Sequence, residues 1–142
     1  MSDKILNIVH NNIDKAIHET SPFDHWVYNK VLPKKIADTL SNLNIIPSSI
    51  TNHNGKRETY NSTRVFFNNQ NCQKTPIFHD IANIFNNPKT ILKLSNLCGR
   101  NLSNGKLRIE YTLDTENFWL EPHLDIKEKL LTFLIYLSKE PE

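Results

Sequence analysis

The residues FWLEPHLD (118–125), followed at once by IKEKLLTFLIYLS (126–138), decide the fold of this chain. His123 and Asp125 stand two positions apart in the first stretch. On an extended strand that spacing aims both side chains at the same face, where an imidazole nitrogen and a carboxylate oxygen can bind one cation. The pattern therefore predicts two of the three protein ligands of a facial metal site.

A facial site of two histidines and one carboxylate holds Fe(II) by one octahedral face and leaves the opposite positions open. The pair alone is weakly specific, because 6 His and seven Asp in 142 residues give roughly 0.3 such pairs by chance. Its weight as evidence depends on the residues around it.

Those residues resemble the 2-oxoglutarate- and Fe(II)-dependent oxygenases, in particular the prolyl-hydroxylase-like branch. The resemblance is carried by LRIEY (107–111), Asp114, FWLEPHLD (118–125), Lys129 and LTFLIYLS (131–138), with looser similarity at SPFDH (21–25) and NSTRVFF (61–67). It implies an α+β fold in which N-terminal helices pack on the first strands of a double-stranded β-helix, a cupin-like jelly roll.

From the resemblance we expect a single, C-terminally incomplete oxygenase domain over residues 1–142. Residues 1–104 are expected to be mainly helical support, and residues 105–142 to be the opening strands that carry the His-x-Asp motif. In the family, the second metal histidine and the basic residue for the far carboxylate of 2-oxoglutarate come several strands later, whereas this sequence extends 17 residues past Asp125. Position alone gives neither residue a counterpart here.

The resemblance also implies the roles of individual residues. His123 and Asp125 would be the catalytic pair that binds Fe(II), with 2-oxoglutarate as cosubstrate and room for ascorbate as a further cofactor. Tyr111 matches a strand tyrosine that contacts the cosubstrate, and Tyr136 matches an inward-facing one. Thr132 shares the face of Tyr136 by alternation and is assigned to the cosubstrate with it. For Tyr111, a tyrosine that only packs in the core is the open alternative.

The implied reaction is hydroxylation of an unactivated C–H bond in a prolyl, amino-acid or sugar-linked small-molecule substrate, with release of succinate and CO2. Two alternatives stay open. One is a catalytically inactive, truncated remnant that self-associates through unpaired strand edges. The other is a non-enzymatic jelly-roll binding module in which His123 and Asp125 are an ordinary hydrogen-bonded pair.

Composition and charge are those of an ordinary globular domain, with 38% hydrophobic and 23% charged residues. The net charge of +2 comes from 17 basic and 15 acidic residues without a long run of one sign, which argues against nucleic-acid or membrane partners. Cys72 and Cys98 lack a C-x-x-C spacing and the N-terminus lacks a signal-peptide core, so we expect a reduced, cytoplasmic protein.

Upstream of the motif the sequence predicts helices. Apolar residues at helical spacing predict an amphipathic helix over 3–19, on which His10 and His18 are expected at the solvated surface. Further helices are predicted after Pro33, after Thr75-Pro76 and after Asn87-Pro88, the last one closed by Gly99.

Strands are predicted at 25–31, at 63–67 and from Lys106, with a long loop between Asn42 and Ser62. Arg64, on the second of these strands, either reaches a carboxylate of the substrate or is an ordinary salt-bridged arginine.

Overall fold

A computed structural model describes residues 3–137, which form a mixed α+β structure. In chain order its elements are α1 (Asp3–Ile13), β1 (Ile17–Glu19), β2 (His25–Val27), α2 (Lys34–Ser41), a 3-10 helix (Arg57–Thr63), β3 (Arg64–Phe66), α3 (Asn69–Lys74), α4 (Pro76–Phe85), α5 (Pro88–Cys98) and β4 (Glu110–Thr112).

The strands form two small antiparallel sheets. β1 pairs with β2, and β3 pairs with β4 so that Arg64 lies opposite Thr112 and Phe66 lies opposite Glu110. Backbone hydrogen bonds from Phe67 N to Ile109 O and from Leu113 N to Thr63 O extend the second pairing by one residue at each end. Within residues 3–137 the sheets do not close into a barrel, so the α+β class is confirmed and the double-stranded β-helix is not.

Capping residues explain where the longer helices begin and end. Pro33 precedes α2, and Pro76 and Pro88 are the first residues of α4 and α5, where a missing N–H costs nothing. The Asn87 side chain accepts a hydrogen bond from the Lys89 backbone N–H, and Gly99 ends α5 with a φ of 65°. The predictions of these three helices are confirmed.

One hydrophobic core lies between the helices. α1 packs on α5, while α4 contacts α2, α3 and α5. The buried apolar residues of this core are Val9, Ile13, Val31, Leu32, Ile36, Leu40, Phe78, Ile81, Ile84, Phe85 and Leu94. The second sheet places Val65 and Tyr111 against it, because these two residues share one face of the β3–β4 pair.

Two predictions for the N-terminal region are wrong. The helix predicted over 3–19 ends at Ile13, and the chain turns into β1 at Ile17. His10 is buried rather than solvated, with 7% of its surface exposed and its Nε2 2.8 Å from Thr90 Oγ1. Because α5 packs on α1, a polar position beside the main apolar stripe is covered as well.

Residues 118–137, called here the C-terminal segment, form no helix or strand, although strands carrying the His-x-Asp motif were expected there. Their last seven residues alternate in burial. The half-buried residues that pack against the core are Leu131, Phe133, Ile135 and Leu137. The residues between them, Thr132, Leu134 and Tyr136, are exposed. The segment thus has one covered face and one open face.

Two further features bear on the predictions about the cysteines and about membranes. Cys72 and Cys98 are free, half-buried thiols. None of the helices formed by residues 3–137 is long and apolar enough to cross a membrane.

Candidate metal centre

The His-x-Asp motif is reached through an anchor between the C-terminal segment and the loop that precedes the 3-10 helix. Phe118 meets the buried Tyr60 ring edge-on, with centroids 4.7 Å apart. The Trp119 ring lies directly over Gly55, whose φ is +73°. Gly55 O accepts a hydrogen bond of 2.9 Å from Glu121 N. These contacts fix the backbone two residues before His123.

The His123 imidazole is oriented by the main chain. Its Nδ1 lies 2.8 Å from the carbonyl oxygen of Glu121. Because a carbonyl only accepts hydrogen bonds, Nδ1 carries the proton, and in the neutral ring Nε2 is left with a free lone pair. An Nδ1–H bond to a backbone carbonyl is the usual arrangement of a histidine that binds metal through Nε2.

The Asp125 carboxylate is held by two groups that follow it in the chain. Oδ1 accepts a hydrogen bond of 2.7 Å from Lys129 Nζ, and Oδ2 accepts one of 3.3 Å from Thr132 Oγ1. A turn closed by Lys129 N and Ile126 O brings these donors back to the carboxylate. The hydrogen bond from the Lys129 ammonium holds the pKa of Asp125 below its usual value, so the group is ionised at neutral pH.

Together these two side chains offer one imidazole nitrogen and one carboxylate, both exposed to solvent. This donor set fits two ligands of a site for Fe(II) or a similar divalent metal. Each side chain makes its hydrogen bonds with other groups, so the arrangement differs from a plain His–Asp pair. Between residues 3 and 137 no group of three or more His, Cys, Asp or Glu side chains is placed to hold a metal ion.

Thr132 and Tyr136, predicted at the cosubstrate, lie on the open face of the C-terminal segment. Thr132 is brought to the motif, because its hydroxyl donates to Asp125. Tyr136 lies four residues further along the same face and is 84% exposed. Thr132 and Tyr136 therefore lie on the same face of the segment, the one from which Thr132 contacts the Asp125 carboxylate.

Tyr111 lies elsewhere. Its hydroxyl donates a hydrogen bond of 3.0 Å to Leu40 O, and its ring lies 6.1 Å from that of Phe78 in the core. Burial raises the pKa of its phenol above the ordinary value. These contacts are those of the core alternative, and a role at the cosubstrate would require the bond to Leu40 to break.

Sequence reasoning missed a group of charged residues on the other face of the β3–β4 sheet. Arg57 Nη2 lies 3.1 and 3.0 Å from the two carboxylate oxygens of Glu110, and Arg64 Nη1 lies 3.3 Å from Oε1. Of the two alternatives for Arg64, the structure shows the salt-bridged one. The available signal was the alternation of Arg108 and Glu110 on one strand face, which does not by itself reveal Arg57 or Arg64.

Comparisons of the chain with protein-family models, with curated proteins and with solved structures find no match.

Proposed function

We propose that this protein acts as an Fe(II)- and 2-oxoglutarate-dependent dioxygenase. Its substrate would be a prolyl residue, an amino acid or a sugar-linked small molecule that is hydroxylated at an unactivated C–H bond, with release of succinate and CO2. The observation that carries the proposal is the His123–Asp125 pair, in which the imidazole has a free Nε2 and the carboxylate is ionised.

A dioxygenase of this kind would need the double-stranded β-helix. β3, β4 and the C-terminal segment would be opening strands of a double-stranded β-helix with the helices on its outer side. Alternating burial over 131–137 supports this, because a barrel strand has one face toward its support and one toward the interior. The open face with Thr132, Leu134 and Tyr136 would then be the interior face.

In this scheme His123 Nε2 and the Asp125 carboxylate hold the metal. Bound Fe(II) with 2-oxoglutarate supplies the oxygen activation that C–H hydroxylation needs. The protein's own contribution is orientation: the Glu121 carbonyl fixes the imidazole, and Thr132 fixes one carboxylate oxygen. Lys129 must release Oδ1 or leave Oδ2 as the metal ligand. The exposed Tyr136 phenol is free to donate to a cosubstrate carboxylate.

The test is an anaerobic titration of isotope-labelled protein with Fe(II), with and without 2-oxoglutarate. We expect paramagnetic broadening of the backbone amides of Glu121 and of residues 123–127, and a weak visible charge-transfer band when 2-oxoglutarate is added. His123→Ala should abolish both signals, since it removes the nitrogen ligand.

The matched control is His79→Ala. His79 is an exposed histidine on α4 that neighbours Asp80 in sequence, where helical geometry points the two side chains apart. This variant should retain both signals. Broadening that persists unchanged in His123→Ala, or that never reaches residues 121–127, would rule the proposed site out.

A non-enzymatic binding module is the second candidate, and one observation favours it. Both Asp125 oxygens already accept hydrogen bonds from Lys129 and Thr132, so the carboxylate also has a structural role in closing its turn. If the Asp125 carboxylate has only this structural role, Lys129→Met will lower stability without changing Fe(II) binding. If the proposed dioxygenase site is right, Lys129→Met removes a competitor and strengthens Fe(II) binding.

A further inference from the structure

Three arginines meet at one carboxylate on the sheet face that points away from the helices. Arg57 Nη2 contacts both oxygens of Glu110, at 3.1 and 3.0 Å. Arg64 Nη1 lies 3.3 Å, and Arg108 Nη2 4.0 Å, from Glu110 Oε1. We call Arg57, Arg64, Arg108 and Glu110 the arginine cluster.

The register of the second sheet assembles this cluster. Val65 and Tyr111 occupy the core face of the β3–β4 pair, so Arg64 and Glu110 fall on the opposite face. Arg108 continues that face two residues before Glu110. Arg57 reaches it from the 3-10 helix that leads directly into β3. Residues more than 40 positions apart in sequence are thereby brought to one point.

The charges in the arginine cluster do not balance. Three guanidinium groups and one carboxylate leave a net charge of +2, and Glu110 is the acidic partner of all three arginines among the ion pairs of residues 3–137. Three guanidinium groups carry fifteen N–H donors in total, whereas one carboxylate accepts about four hydrogen bonds. Glu110 therefore satisfies only a minority of these donors.

One of those donors is buried without a partner. The Arg64 side chain is 8% exposed, its Nη1 also donates to Thr112 Oγ1 at 3.3 Å, and its Nε is buried without a hydrogen-bond partner. Buried charged donors are normally satisfied, so an orphan of this kind marks a place where an acceptor belongs. Arg57 and Arg108 are 37% and 58% exposed, which leaves the cluster open to solvent on their side.

We propose that the arginine cluster is a binding site for an oxyanion, the carboxylate or phosphate group of a small-molecule ligand. Arg64 supplies donors from the buried side, Arg57 and Arg108 supply them from the solvent side, and Glu110 holds the guanidinium planes in place. A group of charge −1 or −2 brings the site to between +1 and neutral. Guanidinium groups match the planar or tetrahedral oxygens of such anions through paired N–H donors. The site does not depend on the metal centre.

The test is a titration of the metal-free protein with inorganic phosphate and, separately, with acetate, each against chloride at equal ionic strength. Arginine Nε–H resonances and the midpoint of thermal unfolding report binding. We expect saturable shifts of the Arg64 Nε–H signal and a rise in the midpoint with at least one of the two anions. A response to phosphate alone would assign a phosphate ligand, and a response to acetate alone a carboxylate.

Arg108→Gln is the decisive variant, because this exposed side chain makes only the longest contact to Glu110 and its loss should leave the fold intact. It should weaken anion binding roughly tenfold, as expected for one charge-assisted hydrogen bond. Arg100→Gln, at an exposed position just after α5, changes the net charge equally and should leave binding unchanged. Glu110→Gln should strengthen binding, since the amide oxygen still accepts hydrogen bonds from the arginines while the competing negative charge is lost.

Responses no larger than those to chloride would overturn the proposal, as would equal anion affinity in Arg108→Gln and Arg100→Gln. A purely structural network predicts a different set of results: Glu110→Gln lowers stability and gains no affinity for either anion. Because the titrations contain no iron, a failure of the metal site leaves their outcome unaffected.

Discussion

The helical region and the C-terminal segment bury their apolar residues in different ways. In the helices, Val9, Phe78 and Ile84 are fully buried, because each lies on the apolar stripe of its helix and neighbouring elements cover that stripe. In the C-terminal segment, Phe133 is half-buried while Leu134 beside it is 67% exposed. An extended chain has two faces and needs two partners, and the helices cover one of them.

The same difference separates the residues that stabilise the fold from the residues of the candidate metal centre. Buried helix faces supply the free energy of folding, whereas the candidate metal ligands and the exposed tyrosine lie on or near the open face of the C-terminal segment. Substitutions in the two regions should therefore have distinct effects on unfolding and on ligand binding.

The largest difference is expected between two phenylalanines. Phe78 is fully buried and stacks on Phe67 with centroids 4.0 Å apart, so Phe78→Ala should cost about 3–5 kcal/mol of unfolding free energy. Phe133 packs against Tyr28 and Phe85 on one side alone, and Phe133→Ala should cost roughly half as much. Urea denaturation measures both values. Equal losses would show that the C-terminal segment belongs to the core as fully as the helices do.

Two glycines test the anchor between the loop and the C-terminal segment. An added Cβ at Gly55 would overlap the Trp119 ring in addition to straining a positive φ, so Gly55→Ala should cost about 2–5 kcal/mol. Gly99 has a similar φ and nothing within 4 Å of an added Cβ, so Gly99→Ala should cost only the strain, about 1–2 kcal/mol. Urea denaturation measures both losses of unfolding free energy, and equal losses would show that the Gly55–Trp119 contact does not stabilise the fold.

The buried histidine of the helical region predicts a smaller, pH-dependent effect. Burial, with Lys93 and Lys89 nearby, lowers the pKa of His10 below its ordinary value of 6.5, and Asp14 opposes this only in part. The unfolded chain therefore binds a proton more readily than the folded protein, so stability falls as the pH drops below 6.5.

Unfolding midpoints in urea between about pH 7 and pH 5.5, above the range where carboxylates titrate, measure this slope. His10→Gln should flatten it, while His18→Gln, at an exposed position of β1, should not. A slope that is identical in the wild type and in His10→Gln would contradict the assignment.

The smallest effect on stability is expected at the open face. Leu134→Lys should change the free energy of unfolding by less than about 0.5 kcal/mol, because the side chain is exposed. The same substitution should reduce concentration-dependent association in sedimentation velocity, since it places charge on an uncovered apolar face. Ile135→Lys, one residue on and packed against the core, is the opposite-face control and should destabilise the fold. Wild-type protein that stays monomeric at high concentration would refute self-association through this face.

Local signals in the sequence predicted the later helices well. Proline at or just before the first helical residue is a short-range signal, and α2, α4 and α5 follow it, while glycine after the last helical residue marks the end of α5. The end of α1 was missed because no proline or glycine marks it, and a short hairpin begins instead at Ile17. His10 was misplaced because sequence periodicity identifies the main apolar stripe of a helix but not how far a neighbouring helix, here α5, covers the positions beside that stripe.

The same limit applies to the candidate sites. The pairing of His123 with Asp125 is a prediction from their spacing on an expected strand, and the sequence placed Thr132 with Tyr136 by alternation, so it did not indicate the hydrogen bond from Thr132 to Asp125. The arginine cluster could not be predicted, because Arg57 and Glu110 meet only through the register of β3 with β4, which the sequence does not specify. For Tyr111, alternation identifies the strand face on which the side chain lies, but it does not tell whether that face contacts the helical core or a cosubstrate.

The imidazole of His123 is positioned by main-chain atoms alone: Glu121 O accepts from its ring, and Glu121 N donates to Gly55 O. Evolution is therefore free to vary the side chain at position 121 without turning the ring, provided that the residue keeps its amide hydrogen. Proline is the one amino acid that this position should exclude. An imidazole orientation that depends on main-chain atoms should tolerate substitutions of neighbouring side chains, whereas one that depends on a side-chain partner would be lost with that partner.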